Sequence, residues 1–374
     1  MRIFCQHWQK EEDTDRVRCL LCPHNCLIPA GQTGRCRVRK NEHGQLWTLN
    51  YGELTAAALD PMEKKPLYHF HPGKTILSFG TFGCNMRCRF CQNHEISQMV
   101  VNANALTETD AHNGAHAHTE ADARAEADPH AETDVRTSAD SLRARRQLEA
   151  ADLARLVAMQ EQSCVGAAFT YSEPSVWYEY VYDAARHVKE KGFVNVLVTN
   201  GFLSEKALAD LLPFVDAANV DLKSFRDDFY REVCGASLKP VLETIVTMKK
   251  ALHLELTTLL VPGLNDGVEE IEKMAAWVAA EVGKDTPLHL SRYFPAYRME
   301  LPPTPEKTIA AAYEAARVHL QYVYTGNIAV PYGQDTDCPA CGSKLIRRNF
   351  RQVHIVGLSD RRCKACGLPV PIVM

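Results

Sequence analysis

Thr75-Ile76-Leu77-Ser78-Phe79-Gly80-Thr81-Phe82-Gly83-Cys84-Asn85-Met86-Arg87-Cys88-Arg89-Phe90-Cys91 decides how the rest of the chain is read. Its first five residues form a short apolar run closed by glycine, the pattern of a buried strand. The strand leads straight into three cysteines spaced C-x-x-x-C-x-x-C. Thiolates hold iron–sulfur clusters, and a 4Fe–4S cube takes four ligands. Three cysteines leave one iron open to an outside ligand, as a catalytic zinc keeps one position free. Gly80 and Gly83 let the backbone turn tightly beside such a group. The alternative is a zinc knuckle. Zinc sites usually pair two C-x-x-C units, however, and His94 is the only local candidate for a fourth ligand.

Outward from this loop, strands alternate with amphipathic helices. Strands are predicted over 165–171, 195–199, 219–222, 255–261 and 288–293. Helices are predicted over 148–160, 176–189, 204–212, 240–252, 269–281 and 305–320. Ser204 suits an N-cap and Pro240 a first helical turn. Such alternation implies an α/β fold with a parallel sheet and crossovers. At least six strand–helix units fit between residues 75 and 325. No G-x-G-x-x-G follows the first strand, which favours a partial (β/α)6 barrel over a Rossmann sheet. Barrels of this kind place their chemistry at the C-terminal ends of the strands. The expected organisation is a Cys-rich region over 1–70, the barrel over 71–330 and a zinc-ribbon-like region over 331–374.

The chain has 374 residues, 46% of them apolar and 24% charged, which excludes wholesale disorder. No run approaches the ~18 apolar residues of a membrane helix. Met1 to Lys10 lacks the apolar stretch of a signal peptide, so the expected location is cytoplasmic. Thiols stay reduced there, and 14 cysteines then read as metal ligands or catalytic groups before disulfides. Formal net charge is −4. Residues 101–140 hold nine acids and two bases, a net of −7, which leaves the remainder at +3. That stretch is nearly free of large apolar residues and is expected to be a disordered insertion. Its histidines, His112, His116, His118 and His130, are a weak metal-binding alternative to a solvated loop.

The C-x-x-x-C-x-aromatic-C phrase, with Phe90 at the aromatic position, resembles the radical S-adenosylmethionine (SAM) superfamily. In that superfamily the open iron binds the amino and carboxylate groups of SAM. Electron transfer then cleaves SAM to methionine and a 5′-deoxyadenosyl radical, which abstracts hydrogen from a substrate. Two further stretches, Asp60-Pro61-Met62-Glu63-Lys64-Lys65-Pro66-Leu67-Tyr68-His69-Phe70 and Cys91-Gln92-Asn93-His94-Glu95-Ile96-Ser97-Gln98, narrow the likeness. Together they resemble the AmmeMemoRadiSam system radical SAM enzymes, relatives of pyruvate formate-lyase activating enzyme. The resemblance covers about residues 17–100 and 148–374 and omits the 101–140 insertion. It implies an electron donor such as flavodoxin or ferredoxin, and partner proteins of the Memo and AMMECR types. It leaves the substrate open, whether a protein, as in glycyl-radical activation, or a small molecule.

The superfamily ends its second strand in Gly-Gly-Glu to hold the SAM amino group. This chain has Tyr171-Ser172-Glu173-Pro174 there, so the resemblance gives that role to Glu173; capping the next helix is the alternative. Thr199 and Asn200 end the third strand near the expected SAM ribose or carboxylate, or else form an ordinary turn. Lys223 is placed to pair with the SAM carboxylate and Asp221 to order it, against a plain buried ion pair. His289 is expected to reach SAM, or to be a satisfied core histidine. Lys64 and Lys65 receive no chemistry from sequence.

Two cysteine clusters lie outside the barrel. Cys338-x-x-Cys341 and Cys363-x-x-Cys366 are paired knuckles that suit four-thiolate zinc, in a structural role. Five arginines between them (Arg347, Arg348, Arg351, Arg361, Arg362) permit nucleic-acid binding, although a solvated or protein-docking face is the simpler reading. Cys19, Cys22, Cys26 and Cys36 suit zinc or an auxiliary iron–sulfur cluster; spacing does not separate these, and structural zinc is the slight preference. Cys5 and His24 are possible substitutes as ligands. Cys164 and Cys234 read as small apolar residues. The competing view of the whole chain is a non-catalytic zinc and iron–sulfur protein that acts as a scaffold or binds nucleic acid.

Overall fold

The computed structural model describes residues 3–99, 146–349 and 352–374. The 101–140 insertion with its four histidines, and Arg351, lie outside them. The chain builds one eight-stranded sheet whose spatial order follows the sequence. Its strands are β1 (Ala56–Pro61), β2 (Thr75–Gly80), β3 (Cys164–Phe169), β4 (Val194–Thr199), β5 (Ala217–Asp221), β6 (His253–Leu260), β7 (Leu288–Arg292) and β8 (Val323–Gly326). β1 pairs antiparallel with β2, and every later pairing is parallel. Six helices cross between the parallel strands: α1 (Ala150–Met159), α2 (Tyr178–Glu190), α3 (Glu205–Leu211), α4 (Leu238–Ala251), α5 (Val268–Trp277) and α6 (Glu306–Arg317).

This is the expected (β/α)6 arrangement, with β8 added at one edge and β1 at the other. Observed elements agree with the predicted ones to within a few residues. Ser204 caps α3, its hydroxyl accepting from the Ala207 N–H at 3.4 Å. Central strands are buried on both faces, which is why β3 to β6 read as apolar runs instead of alternating ones. The edge strands were not predicted. β1 alternates only weakly and ends in proline, and β8 is four residues long, so neither carries a strong pattern. β1 also draws part of the stretch assigned to the N-terminal region into the barrel sheet.

The N-terminal region forms two small sheets, Ile3–Phe4 with Gln45–Thr48 and Arg39–Glu42, and Trp8–Lys10 with Val17–Cys19 and Leu27–Ile28. Its apolar residues Val17, Leu21, Ile28 and Leu46 belong to the same core as the barrel. A buried ion pair fastens it further. Arg39 Nη2 lies 2.6 Å from Glu179 Oε1 on α2, and the Gln6 N–H donates to the same oxygen at 2.8 Å. The C-terminal region has its own small core of Leu345, Ile346, Leu358, Val370 and Ile372.

Pro66 to Phe70 passes under the N-terminal end of the parallel strands. Asn219 holds the Pro66 carbonyl at 2.8 Å, and Glu255 accepts the Tyr68 and His69 N–H groups at 3.0 and 2.7 Å. His253 and His289 add side-chain contacts to Glu255 at 3.0 and 2.7 Å. Burial alone would raise the Glu255 carboxyl, yet these partners hold it well below the usual carboxylate range. Stability from this carboxylate is therefore complete above the unfolded value of about 4.3 and is lost as pH falls toward the lower folded one. Glu255→Ala strands two buried backbone donors and is expected to cost at least about 2 kcal/mol. Glu255→Gln is expected to cost less and to flatten the loss of stability below about pH 4. Denaturant unfolding across pH checks both, and equal stability of all three proteins would refute the role given to Glu255.

Candidate active site

β2 delivers the cysteine loop to the C-terminal edge of the sheet. At Gly80 a Cβ would stand 2.8 Å from the Thr170 carbonyl oxygen, so only glycine leaves that strand end unobstructed. Gly83 has φ +97°, and a Cβ there would come within 2.6 Å of Val38 and 3.1 Å of the Cys36 carbonyl. The loop is thus pressed against the N-terminal region. Its backbone is held from outside: the Arg87 N–H donates to the Cys234 carbonyl at 2.7 Å, Arg89 to Val233 at 3.1 Å and Gly83 to Ile96 at 3.0 Å. Cys84 and Cys91 are half-buried and Cys88 is buried.

The strand-end residues meet at this loop. Asn200 donates to Asn85 Oδ1 at 2.9 Å and lies 3.7 Å from the Cys84 sulfur. Asn85 in turn donates to the Phe202 carbonyl at 2.7 Å. Glu173 is buried and caps a short 3-10 turn, accepting from the Ser175 N–H at 3.0 Å. It also accepts from Thr199 Oγ1 at 2.7 Å and from the Asn200 N–H at 2.8 Å. The capping alternative is therefore observed. The donors to the carboxylate are the Ser175 N–H and hydroxyl, the Thr199 hydroxyl and the Asn200 N–H, and Oε2 is bonded to the last of these. Burial pushes the Glu173 carboxyl up, against the pull of these hydrogen bonds, and burial, with a smaller push from the Glu173 charge, raises the Cys84 thiol.

Lys223 reaches the other side of the loop. Its Nζ lies 2.9 Å from Asp221 Oδ2 and 5.9 Å from the centre of the Phe90 ring. Burial would lower the ammonium, but Asp221 and the sulfurs of Cys88 and Cys234 outweigh it and raise it well above the usual value. A hydrogen bond from Cys234 holds the Cys88 thiol below its usual range despite burial, helped by the Lys223 charge. Cys234 is fully buried in the apolar core, as the sequence reading has it, and its thiol also lies beside Cys88. A π-turn over Tyr230–Cys234, ended by Gly235 at φ +68°, sets it against the loop, a feature no cysteine spacing reveals.

His289 is the exception among the predicted site residues. It sits one residue into β7, with its ring on Glu255, toward the opposite end of the barrel. The SAM-contact expectation is corrected to the core-histidine alternative, because a strand's N-terminal end cannot present a side chain at its C-terminal edge. Sequence reading also missed a buried cluster. Asp60 Oδ2 accepts from Lys65 Nζ at 2.7 Å and Tyr171 Oη at 2.6 Å, with Tyr171 in the left-handed region at φ +67°. Paired lysines in a polar stretch gave no hint that Lys65 would be buried and Lys64 exposed.

The C-terminal cysteines converge. Cys338 and Cys366 sulfurs lie 3.6 Å apart, Cys341 and Cys363 sulfurs 3.7 Å, and all four fall within 4.8 Å of one another. Zinc–thiolate bonds of about 2.3 Å place tetrahedral sulfurs about 3.8 Å apart, so this set has the size of a zinc site. Of the arginines nearby, Arg348 is no solvated cation. It stacks 4.2 Å over Tyr68 and donates to the Tyr68 carbonyl at 2.6 Å.

Residues 79–278 match the Radical SAM superfamily. The "Uncharacterized protein MJ0808" of Methanocaldococcus jannaschii is 36% identical over 367 residues, 97% of each chain. Solved structures with partial overlap include a radical SAM methyltransferase from Sphaerobacter thermophilus (13% identity, 87% of this chain and 76% of that one, TM-score 0.47). Another is a domain of pyruvate-formate lyase-activating enzyme from Bacteroides vulgatus (17% identity, 43% and 99%, TM-score 0.39). The chain belongs to the radical SAM superfamily. That membership implies a 4Fe–4S cluster and SAM. Three cysteines on one loop, which among the described residues form no zinc-sized group with any fourth ligand, are a donor set that fits such a cluster. Among the described residues no helix is long and apolar enough to cross a membrane.

Gly83→Ala tests the grip on the loop. The strained φ and the collision with Val38 are expected to cost more than about 1 kcal/mol. Reconstituted protein is expected to retain less iron. Unchanged melting with full iron content would mean that the loop is not pinned there.

Proposed function

We propose that this chain is an AmmeMemoRadiSam-type radical SAM enzyme that abstracts hydrogen from a substrate, with Cys84, Cys88 and Cys91 holding the cluster. When bound, the cluster and SAM supply reductive cleavage to a 5′-deoxyadenosyl radical. The observation that carries the reading is the meeting of the three-cysteine loop with Glu173, Asn200 and Lys223 at one edge of the sheet. Glu173 supplies a buried carboxylate for the SAM amino group, which would take the place of one of its present donors. Lys223, its charge secured by Asp221, offers a cation for the carboxylate. Thr199 and Asn200 hold Glu173 in place, and Asn200 spaces Cys84 from the third strand.

An electron donor such as flavodoxin or ferredoxin, Memo-type and AMMECR-type partners and a cytoplasmic location complete the reading by family likeness. Zinc at Cys338, Cys341, Cys363 and Cys366 gives the C-terminal region the folding energy that its small core does not supply. Anaerobically reconstituted protein with dithionite and SAM is expected to form 5′-deoxyadenosine. Cys84→Ala, Cys88→Ala and Cys91→Ala should each abolish it. No product, together with a cluster EPR spectrum that SAM leaves unchanged, would sink the proposal.

A further inference from the structure

Cys19, Cys22, Cys26 and Cys36 line one small cavity, together with His24, Arg35, Arg39 and Asn85. Convergence of four cysteines on a cavity calls for a metal, and their spacing discriminates which. Among the described residues, the C-terminal set is the only group of three or more cysteine, histidine or carboxylate ligands whose donor atoms close to within 4.8 Å. No three of the N-terminal cysteines do so. One zinc ion draws four sulfurs to about 3.8 Å from each other. A cube holds them farther apart, because each thiolate sits on its own iron. The loop of Cys84, Cys88 and Cys91 shows the same open spacing.

A second observation concerns Arg39. Its side chain is 1% exposed and lines this cavity. Nη2 is taken by Glu179 and by the Gln6 carbonyl, and the Cys5 thiol is a further partner of the guanidinium, while Nε and Nη1 find no oxygen or nitrogen acceptor among the described residues. Buried N–H groups without such a partner are costly. Anionic sulfur in the cavity would satisfy them. Cys5 does not line the cavity, and His24 lines it with Nε2 bonded to the Asn85 carbonyl at 2.8 Å, so the four cysteines supply a complete set of thiolates without either.

We propose that Cys19, Cys22, Cys26 and Cys36 bind a second 4Fe–4S cluster, fully ligated by protein, with Arg39 donating to its sulfur. This takes the auxiliary-cluster alternative, which spacing left open, over the slight preference for zinc. The cluster would sit against Asn85, next in sequence to Cys84, so two sulfur sites share a wall.

The test uses full-length Cys84→Ala/Cys88→Ala/Cys91→Ala protein, reconstituted anaerobically with iron, sulfide and zinc all present. It should keep about four irons and four sulfides per chain, one zinc, and an EPR signal after reduction that SAM does not alter. Two zinc ions and no iron would overturn the proposal. Wild-type protein guards against misfolding of the variant. Mössbauer and metal analysis should find about eight irons per chain, falling to about four in Cys19→Ala/Cys22→Ala. Wild type with only four irons would overturn the second cluster whatever the variants do. Eight irons with no SAM-responsive signal would instead defeat the radical SAM reading and leave this one standing.

Discussion

Three thiols on a short loop must be kept apart from one another and largely out of water, and most of the structure is arranged around that demand. The loop cannot satisfy its own backbone, so its N–H groups are met by the carbonyls of Ile96, Val233 and Cys234. Asn85 and Asn200 tie it to the end of β4. Those partners come from separate strand–helix units. The loop acquires its shape only once the sheet has aligned them, and Gly83 then fits it against Cys36 and Val38 of the N-terminal region.

The opposite end of the barrel is sealed by an unrelated device. Glu255 gathers two backbone donors from Tyr68 and His69 and two histidine side chains, which fixes the segment under the strands. The C-terminal region docks on this segment. Val373 exchanges backbone hydrogen bonds with His69 and His71, and Arg348 covers Tyr68. The knuckle is thus mounted away from the cysteine loop, a position that suits a brace. From the same segment Lys65 reaches Tyr171 just beyond β3, which makes the Asp60–Lys65–Tyr171 group a link between the two ends.

Legibility in the sequence followed the range of the interactions. The core strands and their helices were readable because burial on both faces imposes a local apolar pattern. The cysteine loop was readable because its ligands are contiguous. The place of Glu173 was readable as the acid at the end of the second strand, where the family likeness directs attention. Asn85 and Cys234 were not, since one acquires its role from a residue more than 60 positions away and the other from a π-turn that leaves no mark in composition, and Lys65 was not, because its burial depends on the Tyr171 ring over a hundred positions away as well as on nearby Asp60. His289 misled for the same reason. A histidine in a strand looks alike at either end of the barrel, and its partner Glu255 lies 34 residues upstream.

Charge separates the three cysteine sites as clearly as spacing does. Thiolate sites are anionic, and burying an anion is unfavourable unless a cation or hydrogen-bond donor accompanies it. At the barrel loop that cation is Lys223, set beside Cys88 and steadied by Asp221. At the N-terminal cavity Arg35 and Arg39 line the walls, and Arg39 is shared between the Glu179 carboxylate and the Cys5 thiol. At the C-terminal knuckle Cys341 and Cys366 are exposed, so water itself can screen the charge. The two buried sites therefore need cations built into the fold and have them, and both lie against the same Asn85 loop.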